Sequence, residues 1–440
     1  MTRAKIEAPR GTHDIVPAEQ PLWRRATGEA ERLCALYGYR PIQTPGFEDT
    51  DLFQRTSGAG SDVVQKEMYT FTDRSDRSLT LRPEGTAPIC RAYLTHGLQQ
   101  EPQPQKLYTI APMYRYGRPG RGRYREHWQL SVEALGSDDP ALDAEVIHLY
   151  DTLLHNLGVT EYHLELNSIG DRNCRPAYVE ALATWLAGRA DELDADTREK
   201  LRTSPLRALD NLAAKPPHVQ EVLRQAPAIG DSLCDECVGH FGAVRALLDD
   251  LGVAYTLVPT LVRGLDYYTR TVFEFVNDDL DAAQSSICAG GRYDYLIEEI
   301  GGAPTPGVGW AAGVERMAMS RAGEGERTAL DVFVVCDEPT GRPAVLAQLA
   351  ELRRAGLRAD TDYAGRSVKG QMTQAGRTGA RLVVVVSGDS AILRSEGRNI
   401  GEPFPVSEIA SVVLGHPGPP PASEPNGEKR ARGAQDVPEA

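Results

Sequence analysis

Residues 261–275 read Leu-Val-Arg-Gly-Leu-Asp-Tyr-Tyr-Thr-Arg-Thr-Val-Phe-Glu-Phe, and the chemistry they could carry is the gripping of oxyanions. Arg263 stands between Val262 and Gly264, too apolar a setting for a guanidinium that only faces water. The glycine beside it lets backbone or ligand come close. A guanidinium is always charged and holds two oxygens of a carboxylate or phosphate in one plane. Arg263 could instead close an ordinary structural ion pair, and this segment alone leaves both readings open. A second concentration of cations lies at 115–125, where Arg115, Arg118, Arg121, Arg123 and Arg125 precede Glu126. Glu84 stands in a Pro83-Glu84-Gly85 turn.

These residues need elements to hold them. Thr271, Phe273 and Phe275 alternate with Val272 and Glu274, the period of a half-buried strand. Residues 106–116 and 126–135 read as a hairpin joined by the Gly- and Arg-rich loop 117–125. Residues 79–94 give a strand, the Glu84 turn and a helix. A helix is expected from Pro17 to Tyr37, with Leu22, Ala26, Ala30, Leu33 and Leu36 on one side, then a short strand from Tyr39 to Thr44. Residues 287–296 read as a glycine-punctuated turn entering a helix, and 307–320 as a small-residue strand feeding a helix. The first 330 residues show no regular βαβ rhythm, which predicts an α+β fold with an antiparallel sheet. Residues 172–250 are helical and polar, an expected insertion. After the Gly-Glu-Gly-Glu stretch at 323–326 the pattern becomes βαβαβ, with strands at 330–335, 358–362 and 381–386 and helices at 342–355 and 368–376.

A chain of 440 residues is too long for one core, so two or three domains are expected. The net charge of -14 excludes a protein coated for nucleic acid but not a local basic groove. No apolar run reaches the ~20 residues of a membrane span, and no secretory h-region opens the chain. Seven scattered cysteines fit a reducing cytoplasm. Cys234 and Cys237 form one Cys-x-x-Cys, but zinc would want a second pair at suitable spacing and the sequence holds none. No structural metal is therefore expected.

Four segments together resemble the histidyl-tRNA synthetases, a family of class II aminoacyl-tRNA synthetases. They are Leu-Arg-Pro-Glu-Gly-Thr at 81–86, Gly-Arg-Tyr-Arg-Glu-His-Trp-Gln at 122–129, Leu-Val-Arg-Gly-Leu-Asp-Tyr-Tyr at 261–268 and Gly-Gly-Arg-Tyr-Asp at 290–294. The match runs from Arg10-Gly-Thr-His-Asp14 to about residue 415. The resemblance implies a class II antiparallel catalytic domain over 1–327 with the helical insertion at about 172–250. It further implies an α/β anticodon-binding domain over 328–415, and composition makes 416–440 a disordered tail. It implies ATP, with Mg2+ carried on the nucleotide, L-histidine and tRNA-His as partners, and a homodimer. Arg115 and Arg263 would be the catalytic cations. Arg115, Arg123 and Arg316 would hold the phosphates, Arg263 lying between the substrate carboxylate and the α-phosphate. Glu84, Thr86 and Gln129 would serve the amino-group side of histidine, and Glu133, Tyr268 and Tyr293 the imidazole side. Gly85, Arg115, Arg263 and Tyr267 would also bind histidine. Arg118, Arg121, Arg366 and Lys369 would contact tRNA. Activation of an amino acid needs two anions brought together, a task of positioning and charge neutralisation.

The chain departs from the family pattern at three positions. Gly117 replaces an acidic residue expected near adenine, Gly120 an amide expected near the tRNA acceptor end, and Tyr295 a glycine. Backbone groups at 117 are expected to keep adenine with weaker ATP affinity. A competing reading is a non-catalytic paralogue that senses histidine as a regulatory subunit of ATP phosphoribosyltransferase. Such paralogues usually lack the C-terminal domain and parts of the 261–268 segment, and this chain keeps both.

Overall fold

The computed structural model describes residues 5–416 except 59, 60, 62, 121, 211, 213, 214, 279, 281–284, 320–328, 339 and 340. The chain divides into two compact units, Met1–Gly325 and Glu326–Ala440. Arg121, the Gly-Glu-Gly-Glu stretch and the tail from 417 lie outside the described residues.

The first unit is built on an eight-stranded sheet. Its order is Arg40–Pro41, Gln105–Tyr114, Glu126–Leu135, Gly307–Gly313, Ser286–Arg292, Thr269–Asn277, Tyr162–Ser168, Thr256–Leu257. The six inner strands pair antiparallel, and the short edge strands pair parallel with their neighbours. One face is sealed by the helices Gln20–Leu36, Pro140–Leu157 and Asp235–Asp250. Leu130, Val132 and Ala134 project into that core with Phe273, Phe275 and Trp310. Strand alternation then places Gln129, Ser131 and Glu133 on the opposite face, where all three are buried. The same period sends Val272 and Glu274 to that face.

Several local expectations change. The glycines at 290 and 291 lie within the strand Ser286–Arg292, not in a turn. A Cβ on Gly290 would stand 2.6 Å from Phe273 and Trp310, and one on Gly291 2.9 Å from the Tyr268 ring. Close packing, rather than a chain reversal, demands glycine there. Leu36, expected on the buried side of its helix, is 68% exposed, and Cys34 is buried instead. The last helix of the 172–250 stretch, Asp235–Asp250, joins the sheet core through Val244 and Leu248. The helices Arg175–Ala187 and Pro217–Arg224 pack together in a second cluster that contains Tyr267, Tyr268 and Tyr293.

The Gly-Gly-Arg-Tyr-Asp segment also supplies a structural clip. Arg292 is fully buried and donates from Nε to both oxygens of Asp143 at 3.1 and 3.2 Å, and from Nη1 to Asp294 at 3.1 Å. His240 shares the Asp143 carboxylate at 3.2 Å.

The second unit carries a five-stranded sheet ordered Ala359–Thr361, Val332–Cys336, Leu382–Ser387, Ser390–Ser395, Arg398–Pro405. The first three strands are parallel, as βαβαβ requires. The last two add an antiparallel hairpin, and the helix Ile409–Gly415 closes the core through Ile409, Ala410 and Val413. The sequence pattern did not reveal these three elements.

Candidate active site

The opposite face of the main sheet has a floor of small residues. Gly309 pairs with Glu133 across the strands and with Gly291 on its other side. A Cβ on Gly309 would overlap the Glu133 carboxylate. This glycine floor lets Glu133 lie flat over the sheet, fully buried. Thr86 donates its hydroxyl to Glu133 Oε1 at 2.7 Å, and the Tyr293 hydroxyl donates to Oε2. Burial raises the Glu133 carboxyl to about 8, with the nearby Glu84 carboxylate pushing the same way.

Glu84 is held by the helix Thr86–Thr95. Its two oxygens accept the backbone N–H groups of Thr86 at 2.7 Å and Ala87 at 2.9 Å, an anion at a helix N-terminus. Burial still raises its pKa. Gln129 donates to Ser131 Oγ at 2.8 Å below Gly85, whose missing Cβ makes room for that oxygen. Tyr267 and Tyr268 have ring centroids 4.6 Å apart, and Tyr267 meets Tyr293 at 5.7 Å. Glu84, Thr86, Glu133, Tyr267, Tyr268 and Tyr293 are thus joined in one buried cluster of contacts.

Arg263 carries the ion pair that the sequence left open. Its Nη1 lies 2.8 Å from Glu274 Oε2, with both side chains less than a fifth exposed. Glu274 escaped sequence reasoning, although strand alternation had placed it on this face. The pair does not exhaust the guanidinium, because Nε is buried without a hydrogen-bond partner among the described residues. A buried donor left unpaired in this way needs an explanation.

Three further arginines converge at the end of the hairpin. Arg115 donates from Nε to Pro83 O at 2.7 Å, Arg316 from Nε to Gly122 O at 3.1 Å, and Arg123 pairs with Glu67 at 3.2 Å. His127 sits among them. Burial, then Arg115, Arg316 and Arg123, hold its imidazole down to about 3, so it is neutral. Burial, then Arg123 and Arg115, also lower the Arg316 pKa.

The departing positions have partners of their own. A Cβ at Gly117 would stand 3.2 Å from Glu67 Oε1 and 3.3 Å from the Arg123 guanidinium. A carboxylate thus lies beside position 117, from a residue 50 positions upstream that sequence reading did not single out. Gly120 and Arg123 exchange both backbone hydrogen bonds at 3.0 Å, pinning the loop tip. Tyr295 lies under the Arg172 guanidinium, 4.2 Å from ring centre to Cζ. Adding Glu to Gly117 alone would crowd Glu67. The double variant Glu67→Ala/Gly117→Glu is expected to show a lower KM for ATP than Glu67→Ala. An equal or higher value would show that backbone, not a side chain, serves ATP at 117.

Asp266 belongs to the packing: Arg207 holds it at 2.8 Å. Arg118 is exposed. In the second unit Arg366 and Lys369 are exposed at the start of the helix Val368–Arg377, and Arg366 is tied to Asp362.

An antiparallel sheet with a glycine floor, a buried polar pocket and converging arginines defines the catalytic core of a class II aminoacyl-tRNA synthetase. The apo S. aureus histidyl-tRNA synthetase superposes with a TM-score of 0.75 at 36% identity, covering 93% of this chain and 100% of that one. The histidyl-tRNA synthetase family model matches residues 11–317. The histidine–tRNA ligase of Desulforudis audaxviator is 46% identical over 92% of this chain and 97% of its own length. That of Moorella thermoacetica is 47% identical over 86% and 89%. The chain belongs to the histidyl-tRNA synthetase family. A Bacillus halodurans protein titled as an ATP phosphoribosyltransferase regulatory subunit/histidyl-tRNA synthetase shares the fold, with a TM-score of 0.63 at 21% identity. Among the described residues no helix is long and apolar enough to cross a membrane.

Proposed function

We propose that this chain is a histidine–tRNA ligase whose reaction runs over the glycine floor between the Glu133 pocket and the arginine cluster. Family membership supports the ATP-dependent reaction with histidine and tRNA. The single observation that carries the site is the buried Glu133, bonded by Thr86 and Tyr293, on the same sheet face as Arg263. Histidine enters with its imidazole toward Glu133, Tyr268 and Tyr293 and its amino group toward Glu84, Thr86 and Gln129. Tyr267 walls the pocket behind Tyr268.

ATP arrives as its Mg2+ complex, the ion carried on the phosphates. Arg115 takes the α-phosphate, and Arg123 and Arg316 the rest of the chain. Arg263 bridges the histidine carboxylate and the α-phosphate. The carboxylate oxygen attacks the α-phosphorus and pyrophosphate leaves, giving histidyl-adenylate. Fixed guanidinium groups neutralise the charge that two anions would otherwise oppose. The 3' end of tRNA-His then takes the histidine and AMP leaves. Paired buried polar groups reject analogues that cannot match them by about 10⁴- to 10⁵-fold, so no editing step is needed.

The second unit serves as the anticodon-binding domain, with Arg366 and Lys369 at its RNA face, and Arg118 and Arg121 reach the acceptor end. The enzyme works in the cytoplasm as a homodimer. Histidine-dependent exchange of pyrophosphate into ATP is the test. Exchange is expected with L-histidine, and its absence in folded protein would overturn the assignment and favour the histidine-sensing paralogue.

A further inference from the structure

Two helix starts far apart in the sequence meet behind the histidine pocket. Cys174 is the N-cap of the helix Arg175–Ala187 and Cys234 that of the helix Asp235–Asp250. Asp171 and Cys174 form an Asp-x-x-Cys, Cys234 and Cys237 a Cys-x-x-Cys. One ligand atom from each of the four lies within 4.8 Å of the other three. The sequence expectation of no structural metal rested on the lack of a second cysteine pair. The fold supplies that pair as an aspartate and a cysteine at the same spacing.

The cysteines are free thiols, spaced as coordination could use them. Cys174 Sγ and Cys237 Sγ are 3.8 Å apart. Bonded sulfurs stand about 2.05 Å apart. Two thiolates on one tetrahedral zinc, each at about 2.3 Å, stand roughly 3.8 Å apart. Asp171 Oδ1 lies 3.5 Å from Cys174 Sγ, and the Asp171 backbone N–H donates to that sulfur at 3.4 Å. Such outer bonds orient metal ligands. Asp171, Cys174 and Cys237 are buried, and Cys234 is half-buried. The turn is shaped around the sulfur as well. Gly170 has φ +64°, and a Cβ there would stand 2.7 Å from Cys174 Sγ.

We propose that Asp171, Cys174, Cys234 and Cys237 form a closed, tetrahedral structural zinc site. Three soft thiolates and one carboxylate suit Zn2+, and four protein ligands leave no open position for catalysis. On binding, the three thiol protons leave to solvent and no group changes oxidation state. The resulting surplus of negative charge faces two helix N-termini and Arg270, whose Nη2 lies 3.7 Å from Asp171 Oδ2.

The site would act on the pocket through the backbone. Ile169 N–H donates to Arg270 O at 2.7 Å and Arg270 N–H to Gly170 O at 2.8 Å. Arg270 has φ 47°, a conformation that a non-glycine residue keeps only where its surroundings hold it. The metal clips the Gly170–Cys174 turn to the helix Asp235–Asp250. It thereby fixes the strand start that follows Tyr268.

The test uses the full chain, purified with thiols reduced. Metal-free protein titrated with Co2+ is expected to show tetrahedral visible bands and a sulfur-to-cobalt charge-transfer band, saturating at one ion per chain. Zn2+ should displace the Co2+ and raise the melting temperature. Cys174→Ser and Cys237→Ser should lose the spectrum. Asp171→Cys, which keeps four ligands, should retain it with a stronger charge-transfer band. Folded, reduced protein that gives no tetrahedral Co2+ spectrum overturns the proposal. So does an Asp171→Cys variant whose charge-transfer band is unchanged. Neither outcome bears on pyrophosphate exchange, so this proposal and the ligase assignment fail separately.

Discussion

Replacing Arg263 by alanine is expected to lower histidine-dependent pyrophosphate exchange by about 10³- to 10⁵-fold, the range of an arginine that neutralises a transferring phosphoryl group. The loss should fall mainly on kcat, because the guanidinium's largest interaction forms as carboxylate and α-phosphorus join. The variant also strands Glu274, whose carboxylate is 2.8 Å from Arg263 and largely removed from water. A fall in melting temperature is therefore expected alongside the fall in rate. The two effects separate in Arg263→Ala/Glu274→Gln, which removes both charges. Stability should return toward that of the unaltered enzyme while exchange stays low. If exchange returned with stability, Arg263 would be only half of an ion pair. Arg263→Lys should recover little, since an ammonium cannot span two oxyanions as a planar fork does.

Glu133→Gln is expected to separate activity from stability in the opposite sense. Glu133 ionises near 4.5 in the unfolded chain and near 8 when folded, because burial opposes its charge. The folded state thus holds a proton that the unfolded state has released. The stability linked to that proton is complete below about pH 4.5 and is lost as pH rises toward 8. Within that window the slope approaches about 1.4 kcal/mol per pH unit. The substituted amide cannot titrate, so the variant should gain stability relative to the unaltered enzyme between about pH 5 and 9, measured by denaturant unfolding. Its kcat/KM for histidine should fall by about 10²-fold, the cost of leaving a buried polar group of the ligand without its partner. The KM for ATP should not move. A variant whose stability deficit is the same at both ends of the pH range would show that Glu133 folds as an ordinary ionised carboxylate.

Both predictions rest on features of unequal visibility. The period of two along Glu126–Leu135 was enough to put Gln129, Ser131 and Glu133 on one face once Leu130, Val132 and Ala134 were assigned to the core. The same reasoning set Glu274 opposite Phe273 and Phe275. It could not pair Glu274 with Arg263, because the segment 261–268 returns to the sheet by tertiary packing. The glycines at 290 and 291 misled for a related reason. Glycine marks both turns and close approaches. Only the positions of Tyr268, Phe273 and Trp310 decide which of these applies.

The sequence by itself determined the class of fold, because strand periodicity and short motifs act within about ten residues, and from the same signals came the proposed residue types of the site. It also singled out the arginines proposed to handle phosphate. Only the tertiary structure decided which carboxylates meet them: Glu274 at Arg263 and Glu67 at Arg123. It alone brought Asp171 and Cys174 to Cys234 and Cys237. Those encounters are made by chain segments that close over the sheet from far away in sequence. No local period or spacing encodes them. They follow from which faces the sheet and its helices must bury.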